Sequence, residues 1–129
     1  MKFMLLIYND SKLLADLPPA EFDSEMRGCL AKADTLKQEG HLIESQMLKP
    51  AATAKSVRVR NGRQTVHDGP FAEAKEVLGG FNLIEADDMD DALRIAAMFP
   101  WSRTGCIEVR PVEDIEAVRT RVTATAGKS

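Results

Sequence analysis

Histidine and cysteine are scarce in this sequence, two of each among 129 residues, and none lies near another. His41 and His67 form no HxxxH pair, and no Cys/His cluster has ligand spacing, so no metal is expected. Cys29 and Cys106 make no CxxC motif, and both are expected to be reduced core residues, one on a helix and one on a strand. No stretch approaches the ~18 apolar residues that a membrane span needs. Met1 to Tyr8 is apolar but lacks the basic n-region, long h-region and small-residue cleavage site of a secretory signal. A cytoplasmic location is the resulting expectation. Excess basic charge is also missing: the net charge is −3, which leaves no footprint for nucleic acid or an anionic membrane. Without a phosphate loop or a Ser or Cys nucleophile motif, no cofactor is expected.

What is present reads as one α+β domain, of a size that buries roughly two-thirds of its unfolded surface without a staple. Lys2 to Tyr8 is a strand, apolar at both parities. After Pro18-Pro19, the residues Phe22, Met26, Cys29, Leu30, Ala33 and Leu36 recur at helical steps, with acids early and bases late, and Gly40 ends the helix. Leu42 to Leu48 is a short strand. Gly80 to Ala86 is another, followed by a helix with Asp87 or Asp88 as N-cap, an inner stripe of Met89, Ala92, Leu93 and Ala96, and Pro100 as its stop. Gly105 to Arg110 is the last strand, with Ile107 and Val109 inward. A short helix over Glu113 to Val122 belongs to a C-terminal extension, residues 113–129, whose end should fray.

Asn61-Gly62 is a strong hairpin signal between Lys55–Arg60 and Arg63–His67. A two-residue turn opposes Val57 with Val66 and Ser56 with His67. It therefore puts Val57, Val59 and Val66 on one face and Arg58, Arg60, Arg63 and His67 on the other. The order β-α-β, hairpin, β-α-β predicts a ferredoxin-like antiparallel sheet with two helices on one face. Met4, Leu6, Tyr8, Ile84 and Cys106 have the opposite parity to Leu5, Ile7, Leu83 and Ile107, so the second face is apolar too. A homodimer through the sheet is the simplest cover for it.

Residues 68–81 read Asp-Gly-Pro-Phe-Ala-Glu-Ala-Lys-Glu-Val-Leu-Gly-Gly-Phe. This string resembles the signature of the DGPF branch of the YCII-related family. The opening MKFMLLIY, the VRVRNG hairpin, ADDMDDAL and IEVRPV resemble that branch as well, over about residues 1–112. The resemblance implies a dimeric α+β barrel. Relatives on that barrel include cofactor-free isomerases, lyases and monooxygenases, and a His/Asp pair is the usual suggestion for acid–base chemistry in the family. The first helix, where those relatives carry the histidine, has none between Pro18 and Glu39. The branch is often encoded beside extracytoplasmic-function sigma factors, which implies a rival reading as a non-catalytic regulatory or protein-interaction module.

Two readings of Asp68-Gly69-Pro70 stand side by side. In one, Asp68 or Gly69 caps a short helix with Pro70 at its first position, Glu73 in a capping box and Gly79 at its end. In the other, Asp68 faces a cavity beside His67 and Arg58, where a carboxylate can fix the imidazole tautomer and hold a general base. The arginine strip can be a solvated edge or an anion site, and Arg58, Phe71 and Trp101 are the candidate ligand-binding residues. The expectation is a small-molecule-binding barrel, with acid–base catalysis by His67 and Asp68 as one use of it.

Overall fold

Alternation along the first strand decides which way the sheet faces. In the computed structural model, which describes residues 1–69 and 75–126, β1 (Lys2–Asp10) buries Phe3, Leu5 and Ile7 and leaves Met4, Leu6 and Tyr8 half-buried. The short α1 (Ser11–Ala15) is capped by the Asp10 carboxylate, which accepts from the Lys12 and Leu13 amides at 3.0 and 3.2 Å. Next comes α2 (Pro19–Gln38), with proline in its first turn and Gly40 beyond its end at φ 82°.

After β2 (Leu42–Met47) and a single 3-10 turn at Ala51–Thr53, β3 (Lys55–Arg60) and β4 (Arg63–Asp68) form the hairpin. Its register is the expected one, Val57 opposite Val66 and Ser56 opposite His67. Asn61 and Gly62 both take positive φ, 53° and 74°, as a type I′ turn requires. β5 (Glu76–Glu85) leads to α3 (Met89–Ala97), capped by Asp88, whose Oδ1 accepts from the Asp91 amide at 2.8 Å. Then follow α4 (Trp101–Thr104), β6 (Gly105–Pro111) and α5 (Ile115–Ala126).

The main sheet has the order β2-β5-β1-β6 with every neighbour antiparallel, which is the ferredoxin-like arrangement. Leu36 of α2 and Ala92, Ile95 and Ala96 of α3 meet Phe3, Leu5 and Ile84 in one core, so both helices cover the same sheet face. The fold is α+β, as the pattern predicted.

Several local expectations need correction. β5 starts at Glu76, so Gly79 lies inside a strand and ends no helix. Ile84 opposes Phe3 and is buried, whereas Leu83 opposes Met4 on the other face; the parity assigned to this pair from the sequence was inverted. The inner stripe of α3 is Ala92, Ile95 and Ala96, while Met89 and Leu93 point outward, because the helix meets the sheet one residue further round. Cys106 opposes Tyr8 on the uncovered face and is exposed, so only Cys29 packs against the core. The hairpin is a separate two-stranded sheet, with no residue of either strand buried.

Candidate functional site

The apolar stripe of α2 does two things along its length. Near its C-terminus Ala33 and Leu36 close onto the core. Near its N-terminus Phe22 and Met26 stand off the sheet and roof a half-open cavity of about 550 Å³. Ile7, Asn9, Gly80 and Asn82 form its floor, the Leu48–Ala52 connection one wall, and Trp101 another. The Trp101 ring lies 6.0 Å from that of Phe22, and its indole Nε1 donates to Cys29 Sγ at 3.2 Å.

Polar groups are few on this surface and tightly placed. Asn82 is 3% exposed, and its Oδ1 accepts from Ser45 Oγ at 2.5 Å. Its amide nitrogen has no protein partner among the described residues, and Asn82 is one of the cavity's lining residues. Asn9 Oδ1 is buried without a hydrogen bond among the described residues. Burial raises the Cys29 thiol pKa, against a smaller opposite pull from the Trp101 N–H, so the sulfur stays protonated at neutral pH. Lys49 is the one charged side chain among the described lining residues. Such a surface suits an uncharged, largely apolar molecule with one or two hydrogen-bonding groups.

The paired glycines explain how β5 fits here. A Cβ on Gly79 would collide with Asn9 Nδ2, and one on Gly80 would sit 2.7 Å from the Gln46 carbonyl oxygen. A register slip between Ile7 and Tyr8 leaves Gly79 outside the pairing, where its carbonyl accepts from the Leu48 amide at 2.8 Å. The Gly-Gly of the signature string thus lets the cavity floor and wall approach each other.

Of the residues singled out from the sequence, Trp101 lines the cavity and is buried. His67, Asp68 and Arg58 lie on the exposed hairpin, and none of them is among the cavity's described lining residues. His67 and Asp68 are consecutive in β4, so their side chains leave on opposite faces. Asp68 Oδ1 instead meets Lys55 Nζ at 2.6 Å, directly across the ladder. Phe71, with Pro70 and Glu73, lies outside the described residues. His41 sits past α2 with its Nδ1 3.2 Å from the Glu85 carbonyl, a structural position.

Sequence reasoning missed Asn82, Ser45 and Cys29 as site residues. A polar residue amid the apolar run of Gly80 to Ala86 was the available signal for Asn82. The described residues contain no cluster of His, Cys, Asp and Glu fit for a metal ion, and no described helix is long and apolar enough to cross a membrane.

Comparison with known proteins places these observations. An uncharacterised protein of Rhizobium meliloti (strain 1021) is 35% identical over 114 residues, which is 87% of this chain and 92% of the relative. Among solved structures, 5-chloro-2-hydroxyhydroquinone dehydrochlorinase from Burkholderia phenoliruptrix, in complex with 2,5-dihydroxybenzoquinone, superposes with a TM-score of 0.50 at 14% identity. The match covers 88% of this chain and 94% of that one. At that identity the likeness is one of fold, the dimeric α+β barrel. The model of the YCII-related domain matches residues 1–116, and the chain belongs to the YCII-related family.

Proposed function

We propose that this chain binds a small, mostly apolar organic molecule in the cavity beneath α2, and that it does so as a homodimer. One observation carries the reading: a cavity of about 550 Å³ whose largely apolar lining includes the nearly buried Asn82. The Asn82 amide nitrogen, which makes no hydrogen bond among the described residues, can donate to a carbonyl or hydroxyl oxygen on the guest, and such a bond contributes about 0.5–1.5 kcal/mol. A flat ring bearing such an oxygen satisfies both the apolar walls and the amide. The ligand of the structural neighbour, 2,5-dihydroxybenzoquinone, is one molecule of that kind.

The second sheet face supports the homodimer: Met4, Leu6, Tyr8, Phe81 and Leu83 remain half-buried there in the single chain. Contiguous apolar surface of that kind is normally covered.

Trp101 is the only tryptophan and lies in the cavity wall, so its fluorescence reports occupancy directly. Simple phenols, aromatic ketones and 2,5-dihydroxybenzoquinone form the probe set, with affinities from titration calorimetry. Binding should change Trp101 emission, and Asn82→Leu should weaken carbonyl-bearing probes several-fold, up to about tenfold, while sparing ring hydrocarbons. If no probe binds, or Asn82→Leu affects all probes alike, the reading fails.

A further inference from the structure

We propose that the β3–β4 hairpin is an arm that clasps a second copy of this chain. The proposal rests on the homodimer above and adds the element that secures it. A lone two-stranded hairpin is marginal in water and needs a third strand, a helix or another surface against its apolar face. Here β3 and β4 form a sheet of their own, and Val57, Val59 and Val66 stand 62%, 57% and 54% exposed on one face. Nothing in the described chain covers them.

That valine face has been made neutral. By the ladder register it also carries Lys55, Gln64 and Asp68, and the one cation and one anion among these are paired at 2.6 Å. An internally compensated apolar face is built to lie against a surface rather than in solvent. Arg58, Arg60, Arg63 and His67 project from the opposite face. Counting Lys55 and Arg58, Arg60 and Arg63 against Asp68, the hairpin carries three net positive charges. The rest of a chain whose total is −3 is therefore acidic by six.

A second copy meets both demands. Its uncovered sheet face offers apolar Met4, Leu6, Phe81 and Leu83, and the charges there are balanced like those of the valine face: Glu44, Glu85 and Glu108 share it by register with Lys2 and Arg110, Arg110 pairing with Glu108 and the N-terminal ammonium with Glu85. The opposite signs of hairpin and body favour docking on a partner's sheet over packing of one hairpin against another, which would bring like charges together. The hairpin also follows β2, an edge strand, so it leaves the sheet at its rim. By two-fold symmetry each copy gives one arm and receives one.

Hydrogen exchange on the unaltered chain, above and below the dimer's dissociation constant, tests this without a variant. Amides of residues 55–68 should be protected in the dimer and lose protection on dilution. The triple change Val57→Thr, Val59→Thr, Val66→Thr keeps strand propensity while wetting the face. It should raise the dimer dissociation constant by about tenfold or more, with Trp101 emission unchanged. Hairpin amides that exchange equally fast at both concentrations would overturn the arm. So would a triple variant that dimerises as tightly as the parent; either result leaves the dimer itself standing. A chain that stays monomeric at all concentrations removes both.

Discussion

Asp10 shows how one carboxylate can be committed to structure at the edge of a binding site. It is 6% exposed, caps α1 through the Leu13 and Lys12 amides, and lies 3.4 Å from Lys75 Nζ. The Leu13 amide bond is the largest influence and, with the Lys12 amide and Lys75, it outweighs burial and holds the pKa below the usual carboxylate value. A depressed pKa stabilises the fold above the unfolded value of about 3.9, and that contribution is lost as pH falls through the folded value. Asp10→Asn retains a capping oxygen but gives up the ion pair and the charge. Thermal melts should find the variant weaker at neutral pH, with the gap closing below about pH 4. A gap independent of pH would remove Asp10 as its source. Cys29 makes the complementary case. With its thiol raised by burial, it should alkylate in the native chain at least about tenfold more slowly than in denaturant, read by peptide mapping. A cavity ligand should slow it further.

At the scale of elements the turn chemistry is sharply specified. Gly62 at φ 74° and Asn61 at φ 53° fit their residues, and a β-branched side chain at 62 does not. Gly62→Val should cost the hairpin ~1 kcal/mol or more, seen as lost amide protection across residues 55–68. At concentrations where the chain is monomeric, the main body should melt nearly unchanged, since no hairpin strand residue is buried in it. An undisturbed hairpin would show that the turn tolerates a β-branched residue.

The elements that could be read from the sequence were those with one dominant local signal. α2 has its prolines, its three-and-four spacing and Gly40. The hairpin has Asn61-Gly62, and α3 has Asp88. What could not be read depended on partners far away in the chain. The stretch from Glu76 to Glu85 is apolar at both parities, so composition cannot tell which side meets the helices. Only pairing with β1, including the slip past Gly79, decides that Ile84 goes in and Leu83 out. The cavity was hidden for a similar reason. Phe22 and Met26 read as core by spacing, and nothing local says that the helix stands off the sheet at that end and closes at Leu36. Trp101 is legible as a ligand-binding candidate because it is a large, amphipathic ring stationed after a helix stop.

For the whole molecule, two surfaces remain to be covered: the open sheet face and the valine face of the hairpin. Sedimentation at micromolar concentration should give about twice the 14.2 kDa chain mass. Cys106 supplies an internal check, because it lies exposed on the open face opposite Tyr8. Its alkylation should accelerate on dilution as the partner leaves. A single-chain mass at every concentration, with Cys106 always reactive, would leave the sheet face bare.

The connection from Leu48 to Ala52 belongs to two structures at once. It walls the cavity, and its 3-10 turn is the root from which β3 departs. Under the proposed clasp, fixing the hairpin would also stiffen a wall of the pocket, and a guest bracing the wall would steady the root. Coupling of this kind is reciprocal: the factor by which a guest tightens the dimer equals the factor by which the dimer tightens the guest. The binding isotherm should then shift to lower ligand concentration as the protein itself becomes more abundant. The chain would answer not to ligand alone but to the product of two concentrations, its ligand's and its own.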